Sequence, residues 1–201
     1  MAPEGWLPVA LALLILAGRF AWALGKSDAS KHSIALRQAW VKRIFATPGA
    51  EILAIQTVRN SMMAASLMAT TAVLALMGVI SIGHSQVTAP ATMTEWLHGA
   101  GNVKLVLPLA LLAACVVLFS KAVRLYHRAG YSLGLPHGSS DASSVAEAAA
   151  ATELTRAAHL YRNGWRTFYA AIATGAWLVG GLMMLITTVI IVAIDIAARV
   201  E

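Results

Sequence analysis

MMAASLMATTAVLALMGVISI, residues 62–82, decides the fold: it runs without a single charged side chain. A helix needs about 20 such residues to cross a hydrocarbon layer of roughly 30 Å. The apolar character begins weakly at Ile52, so a span is predicted over 52–82. Outward from it the pattern recurs, predicting further spans over 6–24, 103–126 and 167–194. The composition agrees: 59% of the 201 residues are hydrophobic and 12% charged, and the mean hydropathy is +0.71. A soluble domain carries about 25% charged residues. The reading is an all-α, polytopic membrane protein: one membrane domain over 1–201, four transmembrane helices in a bundle. Its one cysteine, Cys115, lies in an apolar run, which excludes a disulfide framework or a cysteine-based metal site.

Charge then sets orientation. The segments 19–59 and 121–166 hold thirteen of the fifteen Lys and Arg residues, leaving Lys104 and Arg199. By the positive-inside rule the loops 25–51 and 127–166 are cytoplasmic and both termini periplasmic, in a bacterial inner membrane. The basic balance is read as orientation, not as a nucleic-acid partner. A cleaved signal peptide is the rival reading of the first span, since Ala21-Trp22-Ala23 has a small-x-small form; the acidic Met-Ala-Pro-Glu start argues against it. From Asp28 to Thr47, Ile34, Trp40, Val41, Ile44 and Phe45 recur at helical spacing among basic residues. This predicts an amphipathic helix in the cytoplasmic headgroup layer, stopped by Thr47-Pro48-Gly49. In the second loop Ser144-x-x-Glu147 reads as a capping box opening a helix.

Candidate chemistry gathers at the inner boundary. Gln56, Arg59, Asn60 and Met63 share one face of the second span; Arg162, Arg166 and Tyr169 share one face near the fourth. With Arg124, Tyr126 and His127 they form a candidate pocket for a lipid phosphate or another anion, because guanidinium forks suit such oxygens. The plainer reading is that these arginines anchor helix ends. Four histidines, His84, His98, His127 and His159, also fall at boundaries. They admit a haem-binding electron carrier, although they sit at or beyond helix ends and lack metal-site spacing. Asp195, the acidic residue inside a predicted span, is expected to pair with Arg199 four residues on. The methionines read as gap-fillers, and no nucleophile, phosphate-loop or metalloprotease motif is present.

Arg37-x-x-Trp40-Val41, the run Ile52 to Ala65 containing Gln56-Thr57-Val58-Arg59-Asn60-Ser61, Lys121 to Gly130, and Arg162 to Tyr169 leading to Trp177 resemble the family catalogued as domain of unknown function 599. The likeness covers nearly the whole chain from Arg37 onward. It implies a four-helix membrane protein of bacteria and plants, supplies no established activity, and directs attention to Gln56, Arg59, Asn60, Arg162, Arg166 and Tyr169. Family members tend to carry a proline and a Gly-Pro in the last span. Here Ala173-Thr174 and Gly180-Gly181 stand in their place, so the likeness does not extend to a proline kink.

The functional expectation is a non-enzymatic accessory or scaffolding subunit without cofactor or metal. Small-residue faces such as Ser61, Ala65 and Ala69 would pack on other membrane helices or on a second copy, with membrane lipids around them. The alternative is a transporter or binder of an anionic solute or lipid headgroup; the haem carrier is a third reading.

Overall fold

The computed structural model describes residues 6–25, 27–86, 103–135 and 141–197. Among them the fold is all-helical: α1 (Trp6–Gly25), α2 (Ser27–Ala46), α3 (Glu51–Gln86), α4 (Val103–Leu133), α5 (Asp141–Gly175), a 3-10 turn (Ala176–Leu178) and α6 (Gly181–Ala197). Two helices, α3 over Glu51–Gly83 and α4, are long and apolar enough to cross a membrane, and Trp6–Arg19 and Gly181–Ala197 are shorter apolar helices. Several hydroxyl side chains within these runs bond back to their own helix, which lowers the cost of carrying them in an apolar stretch. Thr71 Oγ1 donates to the Leu67 carbonyl at 2.9 Å and Thr188 Oγ1 to that of Met184 at 2.7 Å.

The chain divides into two compact units: the first comprises Met1–Gly25, Ala72–Cys115 and Trp165–Glu201, the second Lys26–Thr71 and Val116–Gly164. In the second unit Val41 and Ile44 of α2 are buried in one core with Ala54, Val58 and Ala65 of α3, Ala122, Tyr126, Ala129 and Leu133 of α4, and Ala150, Leu154 and Ala157 of α5. Alanine at so many contact positions lets the backbones approach closely. The α2–α3 corner is Thr47-Pro48-Gly49: proline cannot continue a helix, and Gly49 adopts a φ of +83°, a left-handed value that costs glycine least. The apolar face of α2 is in part buried against protein, through Val41 and Ile44. One expectation changes here: α5 opens at Asp141, which puts Ser144 inside its first turn, not at the cap.

In the first unit α1 packs on α6. Trp6 meets Trp177 edge to face, ring centroids 6.0 Å apart. Next, Val9 and Ala12 share a core with Met184, flanked by Leu16 and Leu185, and lastly Arg19 forms an ion pair with Asp195. The order of contacts makes α1 and α6 parallel. Lengths agree: at about 1.5 Å per residue, 6 to 19 and 181 to 195 each cover roughly 20 Å. Lys104 Nζ sits 5.8 Å from the Trp177 ring centre, and Gly83 faces Leu105. Thus α1, α4 and α6 start where α3 and α5 end.

This departs from the expected fourth span over 167–194, which would be one helix antiparallel to the first. Instead the helix is broken at Ala176–Gly180, where Gly175, Gly180 and Gly181 cluster, and the chain sets off again as α6. Asp195 forms an ion pair with Arg19; Arg199, the partner expected for it, lies outside the described residues, as does His98.

Candidate functional site

A cavity of about 640 Å³ opens within the second unit. Helix α2 lines it with Leu36, Arg37 and Trp40, and α3 with Thr57, Val58 and Ser61. Tyr126 enters from α4, and Leu154, Ala158, His159, Tyr161 and Arg162 from α5. Spacing explains the set: Arg37 and Trp40 are three apart, as are His159 and Arg162, while Leu154, Ala158 and Arg162 recur every four residues, so each helix offers one stripe.

The electrostatics are one-sided. Two guanidinium groups line the cavity and no carboxylate does, among the described residues. Arg162 Nη2 lies 2.8 Å from His159 Nδ1. Arginine only donates, so Nδ1 accepts and the neutral ring carries its hydrogen on Nε2. Arg162 Nε is buried with no hydrogen-bond partner, and a buried guanidinium N–H without an acceptor costs at least about 1–3 kcal/mol. Arg37 acts electrostatically on Tyr126, as does Tyr161. The hydroxyls of Thr57 and Ser61 donate to the Leu53 and Thr57 carbonyls at 2.9 and 3.2 Å, so they offer lone pairs, and the arginines supply the donors. Behind this wall, Phe119 stacks edge to face on Tyr161 at 5.7 Å and fills the space beside Gly164, where a Cβ would come within 2.7 Å of the ring.

Of the residues singled out from the sequence, Arg162 and Tyr126 line the cavity. Gln56, Arg59 and Asn60 are exposed, about half a turn round α3 from the buried Ala54, Val58 and Ala65. Arg124 and His127 are exposed on α4. Arg166 and Tyr169 belong to the first unit, where Tyr169 packs against Trp165 with ring centres 5.4 Å apart. Sequence reading passed over Arg37, Trp40, Thr57, Ser61 and Tyr161 as site residues and weighed His159 only as a haem ligand. The i, i+3 pairs Arg37/Trp40 and His159/Arg162 were the available signal. Among the described residues no group of three or more His, Cys, Asp or Glu is placed to hold a metal ion.

An all-helical chain with two helices fit to cross a membrane and a basic cavity within one helical unit defines the class. The chain belongs to the family described as "Protein of unknown function, DUF599", which it matches over residues 6–198. No curated protein and no solved structure matches it.

Proposed function

We propose that this chain is a multi-pass protein of the bacterial inner membrane that binds an anionic ligand in the cavity of its second unit, as a binder or carrier and not as an enzyme. The buried, unpartnered Nε of Arg162, in a cavity without a carboxylate, carries this reading: such a donor is stabilised by an acceptor from outside the protein. The accessory-subunit reading rested on small-residue faces and on the lack of catalytic or transport machinery in the spans. Ala65, at the centre of the Ser61, Ala65, Ala69 stripe, is spent in the protein's own core, so the binder is preferred.

The membrane reading is supported by the apolar surface: Leu67, Leu74 and Met77 of α3 are 67%, 67% and 57% exposed, a face that water penalises and lipid does not. For topology, α1 and α6 run parallel. If both cross, the end of α5 makes a crossing of its own, giving five: α1, α3, α4, α5 from Trp165, and α6. The C-terminus is then cytoplasmic. Arg199 joins the thirteen inner basic residues and Lys104 alone stays outside, a steeper bias than four spans give. At 17 residues, α6 is at the lower limit for a span, with Arg19 and Asp195 at its inner end. Both cavity arginines are then cytoplasmic.

Iodide quenching of tryptophan fluorescence tests the binder, taking the difference between wild type and Trp40→Phe as the Trp40 signal. Arg162→Gln is expected to lower quenching by iodide and leave quenching by neutral acrylamide unchanged. Equal iodide quenching in both proteins refutes an anion-attracting cavity.

A further inference from the structure

The geometry points to an amphiphile as the ligand: we propose that the cavity takes a molecule with one anionic head, phosphate or carboxylate, and an alkyl-like chain. This rests on the anion-binding reading and specifies the rest of the ligand.

First, the cavity is too large for a small anion. Its volume of about 640 Å³ is that of a site for a ligand of tens of atoms, whereas a water molecule's share of liquid is about 30 Å³. An inorganic ion at the arginines would leave the apolar walls wet. Second, the lining is sorted along one helix. Leu154, Ala158 and Arg162 lie on one stripe of α5, so the apolar and cationic ends stand about 12 Å apart at 1.5 Å per residue. His159, hydrogen-bonded to Arg162, belongs to the cationic end. Third, on α2 the cavity is edged by Leu36, which is 63% exposed, beside Trp40. The exposed Leu36, next to the Arg37 guanidinium on the same edge, gives an emerging chain an apolar contact beside a cation. The cationic end holds the head by charge-assisted hydrogen bonds, with Arg162 Nε finding its acceptor there, and the apolar stripe covers the chain.

The full chain in phosphatidylcholine nanodiscs is titrated with dodecyl phosphate, inorganic phosphate and uncharged dodecyl maltoside. Trp40 fluorescence is read as above and binding corrected with protein-free discs. Dodecyl phosphate is expected to bind at least about tenfold tighter than inorganic phosphate, since burying even two or three methylenes suffices. Arg162→Gln should abolish that preference over dodecyl maltoside. Leu36→Ser, at an exposed position that leaves the core untouched, should weaken dodecyl phosphate severalfold and inorganic phosphate not at all. Inorganic phosphate binding as tightly as dodecyl phosphate overturns the amphiphile while the anion reading stands. Dodecyl phosphate binding that ignores Arg162→Gln and is matched by dodecyl maltoside overturns both, as does the absence of binding by either phosphate.

Discussion

Gly164→Ala sets two effects of opposite sign against each other. Alanine is the better helix former by about 1 kcal/mol, and Gly164 lies well inside α5, so local propensity alone predicts a more stable protein. The structure predicts the reverse. The new Cβ would stand 2.7 and 2.8 Å from Cε1 and Cζ of Phe119, about 1 Å inside ordinary carbon contact. Phe119 has no exposed surface and leans on Tyr161, so its ring cannot swing clear without displacing a wall of the cavity. Overpacking of this kind costs about 1–3 kcal/mol. Net of propensity, the variant should lose roughly 1 kcal/mol and should weaken dodecyl phosphate binding through Tyr161. Thermal unfolding in maltoside micelles, followed by circular dichroism, reads the first effect. Phe119→Leu removes the obstructing ring atoms, so the double variant should be less destabilised than the two singles together, with a coupling of about 1 kcal/mol. A Gly164→Ala protein that melts at or above the wild-type temperature would refute this account of the contact.

Three other outcomes follow from the same structure. Arg19→Gln removes the ion pair with Asp195; with side chains 19% and 30% exposed, the loss should be about 1–3 kcal/mol, below the range for a fully buried pair, and the exchange Arg19→Asp with Asp195→Arg should recover much of it in the same melt. A green fluorescent protein fused after Glu201 should fluoresce and an alkaline phosphatase fused there should be inactive, with the pattern reversed at a fusion within residues 87–102; an active C-terminal phosphatase would restore the even-numbered topology. Because His159 Nδ1 accepts from Arg162 and so positions its guanidinium, His159→Phe, which removes that acceptor, should weaken dodecyl phosphate binding severalfold and leave dodecyl maltoside unchanged; equal dodecyl phosphate affinity in that variant would remove His159 from the site.

Spacing made the helices legible, and with them the break at Thr47-Pro48-Gly49. It could say that Gln56, Arg59 and Asn60 share a face, but not whether that face turns inward. The answer lay in Ala54, Val58 and Ala65 opposite, whose small side chains let α3 approach its neighbours. Arg37 and Trp40 were visible as a pair, yet nothing local says that α5 sets Arg162 and His159 around the same cavity. Arg19 and Asp195 each looked like the end of a separate span, with a local partner four residues away for the aspartate. Their pairing depends on the reversal at Ala176–Gly180, and three glycines read as close packing or a bend do not specify the direction of the chain beyond them.

The central claim is that the cavity holds an anionic ligand, and the most direct measurement is native mass spectrometry of the protein released gently from its own membrane, wild type beside Arg37→Gln/Arg162→Gln. The account predicts one retained adduct per chain, fragmenting to a phosphate- or carboxylate-bearing amphiphile and lost in the double variant. A wild-type protein free of adduct, or an adduct kept equally by both proteins, would contradict it.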